Sequence, residues 1–305
     1  MSSHAAPTKN YHKKTYPSID PTRPELSAKG KTIVITGGGT GIGAATANHF
    51  SAAGAARIGI LGRREEPLLA TKAAIEKQYP ETEVLAIPTD VTKKAEVDAA
   101  FAKIANGGHI DVLVSNAAVA GALGNFADTE VDDFLWGIVT NVTGNVTVTK
   151  AFLNHASKHA VVIETNSAAA HISPAPGFAS YNVSKAATAR FYSSLTIEHP
   201  DLSFFSVQPG VVETDMSREA GYKPLKEGEK FIFEGANSSV LSLLARFDDS
   251  SLPASFYVWL ASPEARFLNG KFLWANWDVD ELKARAKEIE GGDILSFGVI
   301  GWPFN

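Results

Sequence analysis

Cysteine is absent from all 305 residues, which excludes disulfides and thiolate metal ligands. The eight histidines form no HExxH pair, so a zinc-hydrolase site is not expected either. No stretch approaches the ~18 uninterrupted apolar residues that a membrane span needs, and the opening MSSHAAPTKNYHKK lacks the apolar centre of a secretory leader. A cytoplasmic location with no membrane partner is the expectation. Without that leader, the four Asn-x-Ser/Thr sequons at Asn141, Asn145, Asn182 and Asn237 read as chance. A basic excess is missing too: 28 Lys and Arg stand against 33 Asp and Glu, a net charge of -5, which offers no footprint for nucleic acid. Lys9, Lys13 and Lys14 read as a solvated cluster. There is also no solenoid-length repeat and no low-complexity linker, so one domain is expected.

What is present is regular. Residues 1–29 are polar and carry Pro7, Pro17, Pro21 and Pro24, which remove backbone donors and disfavour helix, so they read as an extended arm. Beyond it, apolar runs recur: TIVIT, RIGILG, EVLAIP, IDVLVSN, AVVIETN, LSFFSVQ and KFLWAN. Longer stretches of helical composition, such as EEPLLATKAAIEKQ and KKAEVDAAFAKIA, separate them. Continuous rather than alternating apolar runs are those of strands covered on both faces, so residues 30–305 read as an α/β domain with a parallel sheet between helical layers. Residues 214–250 break the pattern at Gly221, Pro224 and Gly228, and a long connection of this kind reads as a substrate lid. The tail ILSFGVIGWPFN is apolar enough to be expected to dock on the body or on a neighbouring subunit.

The stretch TGGGTGIG, residues 36–43, follows the first strand and leads into a helical run. Gly37, Gly41 and Gly43 permit a tight turn, close backbone approach of a ligand and tight helix packing, while the helix N-terminus offers N–H groups to a phosphate. That combination makes room for a pyrophosphate. Gly30-Lys31-Thr32 mimics the end of a different phosphate loop, but Glu25 stands where that loop needs glycine and a strand follows instead of a helix. Thr36-Gly37, Gly62-Arg63, Asp90, Asn116, Ser167 and Pro209-Gly210 all fall at or just past the ends of expected strands. Ligands of open parallel sheets bind outside those carboxyl ends, so these scattered positions should converge in space.

TGGGTGIG and YNVSK at 181–185 together resemble the TGxxxGxG and YxxxK motifs of the short-chain dehydrogenase/reductase family in its compact single-domain form. The resemblance extends over Asp90 in TDV, SNAAVAG at 115–121, Asn141, Ser167 in TNSAAA and QPGVVET at 208–214, and covers roughly residues 30–275. One departure is Ser115 in SNAAVAG, where the family usually has the first Asn of NNAG. The resemblance implies a Rossmann-type doubly wound parallel sheet of about seven strands. It implies a nicotinamide dinucleotide held by Thr36, Gly37, Thr40, Gly41, Ile42, Gly43, Asp90, Val91, Asn116, Ala117, Tyr181, Lys185, Pro209, Gly210, Val212 and Thr214. In that reading Asp90 meets the adenine and Thr214 the nicotinamide carboxamide. It also implies a homodimer or homotetramer packed through the helix that carries Tyr181.

The end of the second strand selects the cofactor. It reads ILGRREE: Gly62 stands where an acidic residue would hold a free ribose hydroxyl, and Arg63 and Arg64 follow. A guanidinium can grip a 2'-phosphate with paired hydrogen bonds, so NADPH/NADP+ is expected over NADH. The alternative is that both arginines pair with Glu65 or Glu66 at the surface.

Hydride transfer to a carbonyl leaves an alkoxide that must gain a proton, and Tyr181 is the expected donor. A free phenol titrates near ~10, but a nearby ammonium favours the phenolate, and Lys185 shares its helix face at i+4. By resemblance Lys185 also binds the nicotinamide ribose, Ser167 orients the substrate oxygen and Asn141 holds a water in a proton relay. Taken singly, Ser167 could equally be a helix cap and Asn141 a turn former. His155, His159 and His171 lack paired ligand spacing and read as surface or loop residues. The expected activity is NADPH-dependent reduction of a ketone or aldehyde, or oxidation of the corresponding secondary alcohol, with no metal. Phe178, Val212, Met216 and Tyr222 would line an apolar pocket. Competing readings are a redox sensor that binds NADP(H) without turnover and a nucleotide-sugar epimerase or dehydratase. The glycine spacing argues against the second.

Overall fold

In the computed structural model, which describes residues 6–172, 176–220 and 247–298, the apolar runs become strands. They are β1 (Thr32–Thr36), β2 (Arg57–Gly62), β3 (Glu83–Pro88), β4 (Ile110–Ser115), β5 (Ala156–Thr165), β6 (Ser203–Gln208) and β7 (Phe272–Trp274). They form one sheet in the order β3-β2-β1-β4-β5-β6-β7, with every pairing parallel. Parallel neighbours need crossovers, and helices supply them: α1 (Gly41–Ala52), α2 (Glu65–Gln78), α3 (Lys94–Ala105), α4 (Val131–Leu153) and α5 (Ala179–Glu198). Two more, α6 (Asp215–Glu219) and α7 (Ser251–Leu260), lie between β6 and β7.

Side chains alternate across a strand, so the sheet builds a core on each face. One holds Ile33, Ile35, Ile58, Ile60 and Ile163 with Phe50 of α1 and Phe256 and Trp259 of α7. The other holds Val34, Leu61, Leu113 and Val162 with Phe101 of α3, Phe152 of α4 and Tyr192 of α5. Burial on both faces is why these runs are continuously apolar. The fold is a Rossmann-type doubly wound sheet.

β5 starts at Ala156, four residues before the apolar run AVVIETN that announced it. The extra stretch is polar, and it joins β4 through an irregularity: Ile110 pairs Ala156 while Val112 pairs Val161. His159 absorbs the irregularity at φ +64°, a backbone conformation few non-glycine residues adopt.

The N-terminal arm is more structured than its prolines indicated. It makes short 3-10 turns at Pro17–Ile19 and Pro24–Leu26, and Ile19 and Leu26 enter the first core. Further out, the Lys9 and Asn10 amides donate to Glu281, His12 meets Asp278 at 2.8 Å and stacks on Tyr16, and Thr15 bonds to Ser251 and Ser255. Tyr11 bridges Trp277. The arm therefore straps the region around β7 to α7. Of the tail, Ile294, Leu295 and Phe297 pack on the same core.

The order reverses between β1 and β4, the two strands that share a border but run their crossovers to opposite sides. That is where ligands of such sheets bind.

Candidate active site

At this border the loop after β1 meets the loop after β4. The Thr36 hydroxyl accepts from the Asn116 and Ala117 amides at 2.9 and 3.0 Å, and the Asn116 side chain donates back to the Thr36 carbonyl at 3.0 Å. The glycine loop runs between them into α1, whose N-cap is Thr40. Gly37 adopts φ +67° and Gly41 φ +53°. At Gly43 an added Cβ would overlap the Gly37 carbonyl and lie 2.9 Å from the Asn116 amide nitrogen. The loop thus has no room for side chains on its inner side and presents backbone at a helix N-terminus, a cradle that fits the pyrophosphate of a dinucleotide.

Beyond β3, an Asp90 carboxylate oxygen accepts from the Thr92 amide and hydroxyl at 2.9 and 2.7 Å, which holds this carboxyl below the usual range. Asp90 is therefore the turn former of its loop. Val91 packs below it, against Gly144 of α4. Beyond β2, Arg63 and Arg64 are both exposed. Neither Glu65 nor Glu66 pairs with Arg64; it reaches Asp215 at the start of α6, 2.7 Å away.

Tyr181 and Lys185 share one face in the first turns of α5, with the Lys185 Nζ 5.7 Å from the centre of the Tyr181 ring. The ammonium is buried and donates to the Thr165 carbonyl at the end of β5 at 2.8 Å. Two residues on, Ser167 caps the turn Ala168–Ala170, its oxygen accepting from the Ala169 amide at 3.2 Å. A hydroxyl that accepts still has its own proton to donate, so the cap and a substrate contact are compatible.

With this geometry in place, the chain can be set beside known proteins. The family model described as short chain dehydrogenase matches residues 31–224. The chain belongs to the short-chain dehydrogenase family. A short chain dehydrogenase/reductase of Claviceps purpurea is 35% identical over 299 residues, covering 96% of this chain and 94% of the relative. The short chain dehydrogenase/reductase AacuD of Aspergillus aculeatus is 33% identical over 298 residues, covering 96% of each. Among solved structures, a short chain dehydrogenase from Burkholderia cenocepacia J2315 in complex with NADP superposes with TM-score 0.67 at 25% identity. That match covers 83% of this chain and 99% of the other.

Within this short-chain dehydrogenase, Asn141 lies on α4 and is buried, but its amide is spent on protein. The oxygen accepts from the Val119 amide, and the nitrogen donates to the Val119 carbonyl and the Ser184 hydroxyl, at 2.9, 2.9 and 3.0 Å. It pins the loop after β4 to α5. Ser115, the departure noted in SNAAVAG, donates to Asn145 at 2.8 Å, and Asn145 in turn donates to the Asn141 carbonyl at 2.9 Å. After β6, the turn Pro209-Gly210 is held by Asp248, whose carboxylate accepts from the Val211 amide at 2.8 Å. Gly210 has φ +92°, and an added Cβ would sit 2.5 Å from that carboxylate. Val212 bridges Asp248 and is buried. Thr214 caps α6 in a reciprocal box with Ser217 and lies against Gly41, bringing the two ends of the cradle together.

Phe178 and Met216 are half-buried at the starts of α5 and α6. Tyr222 and residues 221–246 of the expected lid lie outside the described residues. The three noted histidines belong to other environments: His155 sits in the turn before β5, His159 at the β5 irregularity, and His171 accepts from the Trp274 indole at 3.1 Å. No group of His, Asp and Glu among the described residues could hold a metal ion.

Two residues close to the site were not singled out from sequence. Glu164 and Asn166 alternate with Thr165 at the end of β5 and point to the α5 side of the sheet. The signal was available: a glutamate inside the apolar run AVVIETN.

Proposed function

We propose that this short-chain dehydrogenase reduces a ketone or aldehyde, or oxidises the corresponding secondary alcohol, with NADPH/NADP+ as partner. The observation that carries the reading is the stacking of Lys185 over Tyr181 within reach of the Ser167 strand end, beside a cradle shaped for a dinucleotide. Thr36, Gly37, Thr40, Gly41, Ile42 and Gly43 would hold the pyrophosphate, Asp90 and Val91 the adenine, and Asn116, Ala117, Pro209, Gly210, Val212 and Thr214 the nicotinamide side. Bound there, the cofactor supplies or accepts the hydride.

The rest falls to the protein. The Ser167 hydroxyl donates to the substrate oxygen and stabilises the charge that develops on it. Tyr181 gives its phenolic proton to that oxygen, and the buried ammonium of Lys185 favours the phenolate left behind. Asn141 keeps the loop after β4 in register with α5. A relay water would have to use the second lone pair of its amide oxygen, since both N–H groups are engaged. Arg63 and Arg64 would bind the 2'-phosphate, Arg64 exchanging Asp215 for it.

Support for a dimer or tetramer comes from α4 and α5, which expose Leu135, Trp136, Val139 and Val183 together with Val146 and Ile197. Apolar residues grouped on neighbouring helices mark a contact surface. Light scattering should give two or four copies; a monomer would remove that part of the reading. Among the described residues no helix is long and apolar enough to cross a membrane.

The activity is tested by following NADPH absorbance against a panel of apolar cyclic and aliphatic ketones, with alcohol products identified by mass. Consumption matched by alcohol supports the reductase. Tight NADPH binding with no consumption across the panel favours a redox sensor.

A further inference from the structure

Beneath the proposed catalytic groups lies a charged side chain that the reaction as described does not use. Glu164 is fully buried in β5, three residues before Ser167. One carboxylate oxygen accepts from the Asn166 amide at 2.7 Å and the other from the Ser206 hydroxyl of β6 at 2.6 Å. Asn166 passes the contact on. Its amide nitrogen also faces the Lys185 carbonyl at 3.1 Å and the Thr188 hydroxyl at 3.4 Å, and its oxygen accepts from the Ser167 amide at 2.7 Å. One glutamate is thus tied through one asparagine to the backbone of both Ser167 and Lys185.

Charge makes the arrangement more than a brace. Lys185 is 3% exposed, and a buried ammonium needs a counter-charge. Among the described residues no carboxylate forms a direct ion pair with it. Glu164 is the carboxyl coupled to it: Lys185 pulls the pKa of that carboxyl down. The titratable groups facing this carboxyl are Lys185 and Tyr192 from α5 and Tyr257 from α7. Burial is the largest influence and holds the carboxyl above its usual range, while Lys185, followed by the amide and hydroxyl donors Asn166, Ser206 and Thr188, pulls it back down. Both phenols are driven up, by burial first and by Glu164 in addition. A neutral residue would fill β5 without this burden.

We propose that Glu164 is a positioning residue of the active site: its carboxylate supplies the counter-charge for the Lys185 ammonium and, through Asn166, fixes Ser167 and Lys185 relative to each other. The proposal rests on the reading of Tyr181, Lys185 and Ser167 given above.

Glu164→Gln keeps the shape and the acceptor for Asn166 but removes the charge. On the folded, full-length protein, kcat/KM should fall at least about tenfold. NADPH affinity, read by fluorescence over a pH series, should lose its basic limb at lower pH, because the negative charge that Glu164 places beneath the site is gone. Ser206→Ala takes a donor from the carboxylate and should move both readouts the same way by less. It carries the test if Glu164→Gln does not fold, and an unmoved limb in Ser206→Ala would then overturn the proposal. An unmoved limb in Glu164→Gln overturns it too, whether turnover is kept or falls only with the melting temperature. Tyr181→Phe separates the two levels. If that variant keeps turnover, the reading of the site fails; if it loses turnover while Glu164→Gln behaves as wild type, the role of Glu164 alone fails.

Discussion

From β1 to β3 the polar work of the candidate site is done by backbone: a glycine cradle, a helix N-terminus and the Thr92 amide that bonds to Asp90. From β4 to β7 it is done by buried side chains in two sets, Asn141 with Asn145 and Ser184, and Glu164 with Asn166 and Ser206, the second reaching the Lys185 carbonyl. The first half depends on what is missing from its residues, the second on what they carry. Backbone donors hold a phosphate with no charge to bury, whereas proton transfer needs groups that change charge and must be shielded and compensated. The two halves should fail differently.

The largest stability effect is expected in the strap that closes the second half. Ile19→Ala empties a fully buried site in the arm and should cost about 2–5 kcal/mol in denaturant unfolding, while NADPH affinity of the folded protein stays within a few-fold. A matching loss of affinity would mean that the arm shapes the nucleotide end as well. Gly43→Ala probes the first half. Its methyl group collides with the Gly37 carbonyl, and it should cost about 1–3 kcal/mol and weaken both NADPH and NADH binding. Calorimetry that shows unaltered binding would remove the cradle from the account.

A smaller and more selective effect is expected from Arg63→Ala. The loss of one charge-assisted contact should raise KM for NADPH about tenfold and leave that for NADH nearly unchanged. Equal effects would dissolve the cofactor preference. The half-buried Arg57, which pairs with the exposed Glu83 and donates to the Ile104 carbonyl, lies at the far end of the strands from the site. Arg57→Ala should shift stability by no more than about 1 kcal/mol and leave kinetics alone.

The same division explains what could be read from sequence. Glycines with a fixed spacing form a linear signal, so the cradle, the switch point and six of the seven strands were legible to within a residue or two. β5 was legible only from its apolar part, because Ser157, Lys158 and His159 join the sheet through an irregular pairing that polarity disguises. The arm's prolines announced extended chain, yet what places it is tertiary: Ile19, Leu26, Tyr16 and His12 each find partners far along the sequence. Tyr181 and Lys185 could be named because their spacing is local, and Ser167 because TNSAAA resembles the family's motif. Glu164 and Asn166 bond to residues on β6 and on α5; the glutamate in AVVIETN stands out, but no linear pattern names those partners. Asn141 was legible as a position but not as a set of bonds, since its amide closes on Val119 and Ser184 rather than standing open.

Tyr181→Phe is the most direct test of the account, because it deletes one oxygen and leaves both halves otherwise intact. With a ketone that the wild type reduces, NADPH consumption should fall by about 10²–10⁴-fold while NADPH still binds with an affinity within a few-fold of wild type. Turnover that survives the change would contradict the account.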